Sequence, residues 1–289
     1  MSRDANALNV LLIVLIVVLM VSASTVVILF YQDGQAEEDE STIVEAGMTI
    51  NVDYTGKLTD GRIFDTSNYT IASNDALYPK TLSFTLQAQS AYDPLNFEVG
   101  GGSLITGFDN AVVGMRVGQT KTVTLTPDQA YGDMDESKLI TFSLTEDVPL
   151  LETFTTSNFQ AEYGVAPVQG MTVTDPYYGW AATVIEVNSG ADRVTVNNVP
   201  TLNAEYRVYG DDPSGWSVLV TGIESSTNSI TIEHQLTDSD SDLVMGTDDV
   251  GEFFVTQIDT VNGTAVRNYN SELLGKTLVF IITIVSIEE

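Results

Sequence analysis

Cysteine is absent from the 289 residues, and histidine occurs once, at His234. The first absence excludes disulfides, thiolate metal sites and cysteine nucleophiles, and the second excludes a multi-histidine metal centre. Positive charge is scarce: 11 basic residues stand against 40 acidic ones, a formal net charge of −29. Such a surface repels phosphate backbones, so nucleic acid is not an expected partner. The acidic excess fits either a salty habitat or simple solubility. Patterns of helical period are also rare; only Gly107 to Met115 reads as helix, with Thr106 as its cap and Gly114 as its end.

What is present is apolar residues, at 43% enough for a sizeable core, and abundant strand-like alternation. Met48 to Tyr54, Thr120 to Leu125 and Leu278 to Ile287 alternate apolar with polar positions. Three later segments, beginning at Ala182, Val218 and Phe253, each read strand, polar turn, strand, and form a weak internal repeat of hairpins. The expectation is mostly antiparallel sheet with very little helix. The acidic run Asp238 to Asp242 lacks the glycine and distal glutamate of a calcium loop and reads as a solvated loop. Trp180 and Trp216, each after a glycine and before an apolar strand, fit either core packing or an exposed binding surface.

Residues 7–31 are uncharged and long enough to cross a bilayer as a helix. Arg3 precedes them and an acidic stretch follows, which orients the N-terminus inside and the remainder outside the cell. A cleaved signal peptide ending near Ala23 is the competing reading; the apolar run continuing to Phe30 favours a retained anchor. The sequence thus divides into a cytoplasmic stub (1–6), a transmembrane helix (7–31), a charged linker (32–44), and the rest held outside the cell membrane as a single-pass protein.

The informative stretch runs from Gly47 to Gly132. Val52-Asp53-Tyr54-Thr55-Gly56 is followed by Asp60-Gly61, Phe64-Asp65-Thr66-Ser67, Phe97-Glu98-Val99-Gly100, Leu104-Ile105-Thr106-Gly107-Phe108, Gly114-Met115-Arg116-Val117-Gly118 and Pro127-Asp128-Gln129-Ala130-Tyr131-Gly132. These blocks, in this order, resemble the FKBP-type peptidyl-prolyl cis/trans isomerases, and Leu274 to Phe280 looks like that family's final strand. The resemblance implies an α+β, mostly antiparallel fold: a half-barrel sheet wrapped on one short helix, discontinuous over 45–133 and 272–289. Between them, 134–271 is read as an enlarged, β-rich insert. In the SlyD-like branch an insert-in-flap domain that binds unfolded polypeptide interrupts the chain at this point. Asn268 to Lys276 is similar to that branch's return segment, and Val194 to Pro200 to a degraded copy of it. This layout, with the acidic, cysteine-free composition, points to an archaeal source.

The chemistry that the resemblance implies requires no cofactor or metal. An X-Pro bond interconverts over a barrier of about 20 kcal/mol set by amide resonance, and a dry, aromatic-lined pocket favours the less polar twisted amide. By similarity the catalytic residues are Tyr54, Asp65, Ile105 and Tyr131. Ile105 offers its backbone N–H and Tyr131 its hydroxyl to carbonyls around the proline, while Asp65 pairs with Tyr54 or polarises the twisted amide. Phe64, Leu95, Phe97, Leu104, Phe108 and Phe280 form the substrate-binding wall, with Phe108 as floor. The glycines of these blocks, Gly56 among them, read as turn or cap positions. Leu95 replaces a common aromatic, and 68–93 is an added segment, read as a hairpin or flap at the pocket mouth. The implied partners are proline-containing and unfolded polypeptides, with the insert as a chaperone-like holder. A non-catalytic binding or scaffold module is the alternative.

Overall fold

The computed structural model describes residues 42–208, 214–248 and 250–288. Alternation in the sequence becomes alternation of burial in the first sheet. Its strands are β1 (Thr49–Leu58), β2 (Ile63–Thr66), β3 (Leu95–Glu98), β4 (Thr120–Leu125) and, from the far end of the chain, β17 (Leu278–Glu288). The order is β2-β1-β17-β4, and β3 pairs with the other end of β1. In β17 the side chains of Leu278, Phe280, Ile282 and Ile284 are all buried in the core, opposite Leu58, Gly56, Tyr54 and Val52 of β1. The register shifts between Asn51 and Val52, where β17 carries one extra residue, Val285, in a bulge. Two further helices frame this sheet: α1 (Tyr69–Ala72), capped by the Asn68 side chain, and α2 (Thr106–Val112). α2 buries Phe108, Ala111 and Val112 against the sheet. Removal of the Phe108 and Val112 side chains from water contributes roughly 1.5–3 kcal/mol each.

Thr106 is the first residue of α2, not its cap. Ile105 takes the cap position without a side-chain hydrogen bond, and Gly114 follows the helix in the left-handed region at φ +81°. A third helix, α3 (Thr156–Tyr163), was not expected from the sequence. The Thr155 hydroxyl accepts from Asn158 N–H at its start, Gly164 closes it at φ +70°, and only Phe159 is buried, so it carries no apolar stripe.

Between β4 and β17 the chain builds three four-stranded sheets. β5 (Leu139–Ser143), β6 (Thr145–Pro149) and β7 (Leu151–Phe154) come first. Then follow β8 (Thr172–Thr174), β9 (Ala181–Asn188) and β10 (Arg193–Asn198); β11 (Glu205–Arg207), β12 (Ser217–Glu224) and β13 (Ser229–His234); and β14 (Met245–Thr247), β15 (Glu252–Asp259) and β16 (Thr264–Asn268). The sheet orders are β7-β10-β9-β8, β11-β12-β13-β6 and β14-β15-β16-β5. All three hairpins expected from the repeat are therefore formed. Each gains a short strand on one side, and on the other a strand drawn, in reverse order, from β5, β6 and β7. Every ladder between these strands is antiparallel.

The tryptophans are core residues, 1% and 4% exposed. Trp180 Nε1–H donates to Asn198 Oδ1 (3.1 Å) and Trp216 Nε1–H to His234 Nδ1 (2.9 Å). In both hairpins an indole before the first strand thus reaches the residue that ends the second. The bond leaves His234 with its proton on Nε2, which lies 3.5 Å from Glu146.

The outgoing and returning legs of this region are zipped together. Asn270, 2% exposed, accepts from Asp135 N–H and donates to Asp135 C=O, both at 3.0 Å, and Gly275 N–H donates to Gly132 C=O at 2.8 Å. Arg62, in the turn between β1 and β2, donates to the Asp242 carbonyl (2.8 Å), and Lys276 pairs with the Asp242 carboxylate (2.7 Å).

The single-pass placement in the cell membrane, with the catalytic part outside, is corrected. No helix of the described residues is long and apolar enough to cross a membrane. The longest, α3, has eight residues, about 12 Å at ~1.5 Å per residue against a hydrocarbon core of ~30 Å. The stub, the 7–31 segment and most of the linker lie outside the described residues.

Candidate functional site

β1 and β2 run side by side with Gly56 opposite Asp65, which leaves Asp65 diagonal to Tyr54 and within reach of its hydroxyl. The Tyr54 hydroxyl donates to Asp65 Oδ2 at 2.6 Å, and Asp65 Oδ1 accepts from Thr66 N–H at 2.8 Å. Ser67 completes the bracket: its hydroxyl accepts from Tyr54 N–H and donates to Asp53, each at 3.0 Å. Burial, and then the Asp65 carboxylate, push the Tyr54 phenol far above its ordinary range. The same two causes raise Tyr131. Both phenols therefore remain protonated donors at neutral pH.

A cavity of about 290 Å³ opens beside this pair, and its walls include Tyr54, Asp65, Leu95, Leu104, Ile105, Phe108, Tyr131 and Phe280. Phe108 is 3% exposed and lies under it, with ring centroids 5.8 Å from Tyr54, 5.1 Å from Phe280 and 5.9 Å from Phe97, all edge to face. Tyr131 stands half exposed at the rim. The Ile105 N–H, just before the first helical turn, meets no backbone carbonyl among the described residues. The cavity thus offers an apolar floor and two or three hydrogen-bond donors near one carboxylate.

All ten residues singled out from the sequence lie in or against this hollow. Phe64 and Phe97 sit one layer back: Phe97 is buried behind Phe108, and Phe64 packs on Phe280 at 5.4 Å. Gly56 is no turn residue. It lies within β1, and a Cβ there would fall 2.5 Å from the Phe64 ring and 2.9 Å from that of Phe280, so its bareness is what lets the two rings close on the strand.

Sequence comparison supplies the deciding observation. The FKBP-type peptidyl-prolyl cis-trans isomerase family profile matches residues 40–145. A short-type peptidyl-prolyl cis-trans isomerase of Methanocaldococcus jannaschii is 33% identical over 139 residues, which are 46% of this chain and 78% of that protein. The chain belongs to the FKBP-type peptidyl-prolyl cis-trans isomerase family. The Drosophila melanogaster isomerase Fkbp12 is 32% identical over 119 residues, 40% of this chain and 91% of that one, and FK506-binding protein 1 of Dictyostelium discoideum is 30% identical over 96. As an FKBP-type isomerase the protein is an enzyme acting on peptidyl-prolyl bonds, and each of these matches covers less than half of it.

Three features of this isomerase escaped the sequence reading. Ser103 lines the cavity. Asp109 of α2, 9% exposed, accepts from Gly100 N–H with both oxygens, at 2.8 and 3.0 Å, and so pins the loop leading to Leu104 and Ile105. The added segment 68–93 forms no hairpin; it is α1, one 3-10 turn and irregular chain, held by the buried Glu272 carboxylate, which accepts from Leu82 N–H (3.1 Å) and Ser83 N–H (2.8 Å). An acidic residue interrupting an apolar helix was the available signal for Asp109. Glu272 gave none, because its partners lie 190 residues away.

Proposed function

We propose that the hollow over Phe108 is where the prolyl bond turns, and that the clients are proline-containing polypeptides. The observation carrying this reading is the convergence of Tyr54, Asp65, Ile105 and Tyr131 on one aromatic-floored cavity. A proline ring settles on Phe108, between Phe280 and Leu104, and the preceding amide loses its water there. Desolvation favours the twisted state, in which the C–N bond has lost its double-bond character and the carbonyl much of its charge separation. The Ile105 N–H and the Tyr131 hydroxyl hold flanking carbonyls, so that one side of the bond is fixed while the other rotates. Asp65, oriented by Tyr54 and Thr66, presents its carboxylate to the twisting amide. No bond is made or broken, and no proton moves.

The polypeptide 134–271 is proposed to be an insert-in-flap-like region that holds unfolded clients, with 45–133 and 272–289 as the isomerase unit. Support comes from its point of departure, just beyond Tyr131 at the pocket rim, and from exposed apolar side chains on its first sheet and the loop beside it, such as Val168 and Ile185.

A protease-coupled prolyl-peptide assay on the full chain tests the site. Tyr131→Phe is expected to lose about five- to tenfold in kcat/KM, the worth of one hydrogen bond of ~1 kcal/mol, and Asp65→Ala at least as much. Wild-type rates in both variants would refute the assignment. For the insert, the full chain is expected to suppress aggregation of a reduced, unfolded client, and Val168→Glu with Ile185→Glu to weaken that suppression without altering peptide turnover.

A further inference from the structure

A second cavity, of about 550 Å³, lies against the first. Tyr54, Asp65 and Leu95 line both, so the two hollows share one wall. The far side of the second is supplied by the added segment and the turn after it, through Phe84, Tyr92, Asp93 and Pro94. This wall is built rather than casual. The Tyr92 hydroxyl accepts from Gln87 N–H at 3.0 Å, its ring packs 5.5 Å from Tyr69, and Glu272 fixes the chain just before Phe84.

The lining has a definite chemistry. Aromatic and aliphatic surfaces form the walls, while Asp65 and Asp93 supply two carboxylates. No lysine, arginine or histidine lines it. The neighbouring cation, Lys80, stands 5.3 Å over the outer Phe84 ring and is already paired with Asp75 at 3.1 Å. A long side chain with an apolar stem and a positive head complements such a hollow, its methylenes on Tyr92 and Leu95 and its charge at the aspartates. Glutamate or aspartate there would meet two like charges.

We propose that this cavity is a specificity subsite for a lysine or arginine of the client, near the proline being isomerised. The inference rests on the isomerase site proposed above. A hollow of this volume is roughly 8 Å across, and an extended chain advances about 3.3 Å per residue, which sets the basic residue two or three positions from the proline. The added segment thereby acquires a role: it selects clients by charge rather than covering the pocket.

The test uses the full chain and prolyl peptides carrying lysine, alanine or glutamate two or three positions before or after the proline. At low ionic strength one lysine position is expected to exceed its glutamate counterpart about three- to tenfold in kcat/KM, mainly through KM, and the ratio should shrink as salt is added. Asp93→Asn, a conservative change at an exposed position, and Tyr92→Ala should each reduce the ratio while leaving the alanine peptides unchanged. Equal rates for lysine and glutamate at every position, or a ratio untouched in both variants, would overturn the subsite. Absence of turnover with every peptide would instead strike at the isomerase site itself.

Discussion

Replacing Gly56 by alanine tests how the aromatic wall is held. The new Cβ would lie 2.5 Å from Phe64 Cζ and 2.9 Å from Phe280 Cε1. An ordinary contact needs about 3.4 Å or more, so the Phe64 ring must retreat by roughly 0.9 Å and that of Phe280 by about half as much. Phe280 is 4% exposed and packs on Phe108, leaving little room behind it. Overpacking of this kind costs about 1–3 kcal/mol. A displacement approaching 1 Å in the pocket wall also lowers kcat/KM by roughly tenfold or more. Urea unfolding followed by far-UV circular dichroism reads the first effect, because both tryptophans report on the three-sheet region rather than on β1. The prolyl-peptide assay reads the second. Gly61→Ala is the matched control: at φ +96° it strains the backbone by about 1 kcal/mol, yet no atom lies within 4 Å of its Cβ. It should lose stability and keep its turnover. If Gly56→Ala stays within ~0.5 kcal/mol of wild type and turns over normally, the rings do not depend on the missing side chain, and the packing argument is wrong.

Two further outcomes follow from groups away from the floor of the pocket. Glu272→Ala removes the acceptor of two backbone N–H groups and the 3.5 Å partner of Arg62, which keeps Asp60 at 2.9 Å; a loss of about 2–4 kcal/mol and faster proteolysis within 81–93 are expected, and unchanged protection of that segment would contradict the role given to Glu272. Asp175 is 7% exposed, and burial raises its carboxyl above the ordinary value of 3.8 despite N–H donors from Tyr178 and Tyr177. An acid whose folded pKa lies above its unfolded one binds its proton more tightly when folded, so its ionisation erodes stability as pH rises from about 3.8 through the raised value. Asp175→Asn keeps the acceptor for both amides and removes the ionisation. It should therefore gain on wild type across that window by about 1.4 kcal/mol per unit of displacement, and a Tm difference that is flat between pH 3.5 and 7 would show the reasoning to be mistaken.

Much of the isomerase sheet was legible because its signals are local. β1 and much of β17 alternate in burial, and the polar residues Asp65 and Tyr131 stand out within their blocks. The expected Gly107–Met115 helix differs from α2 only at its ends. The three hairpins were legible for the same reason. Their outer partners were not: β5 fully buries only Phe142, β6 and β7 only half-bury alternate side chains, β6 ends in proline, and their pairing is decided by strands far along the chain. α3 was missed because one buried phenylalanine makes no stripe, leaving only its caps as evidence. Gly56 was misjudged because a glycine needed for its flat face and one needed for its left-handed φ look alike in sequence. Phe84 and Tyr92 sit in irregular chain with no periodicity to mark them as wall residues.

The strand pairings of this protein are nested like brackets. β7 finds its partner in β10, β6 in the later β13, β5 in the still later β16, and around them all β1 closes with β17. A chain emerging from the ribosome can complete these pairs only from the innermost outward. Among the described strands β17 is the last in the chain; it lies between β1 and β4 in the first sheet and brings Phe280 to the hollow. Until then β1 and β4 flank an unfilled slot, and the hollow over Phe108 has no closing wall. The wall that Phe280 gives the hollow therefore waits on a pairing between strands at opposite ends of the described chain.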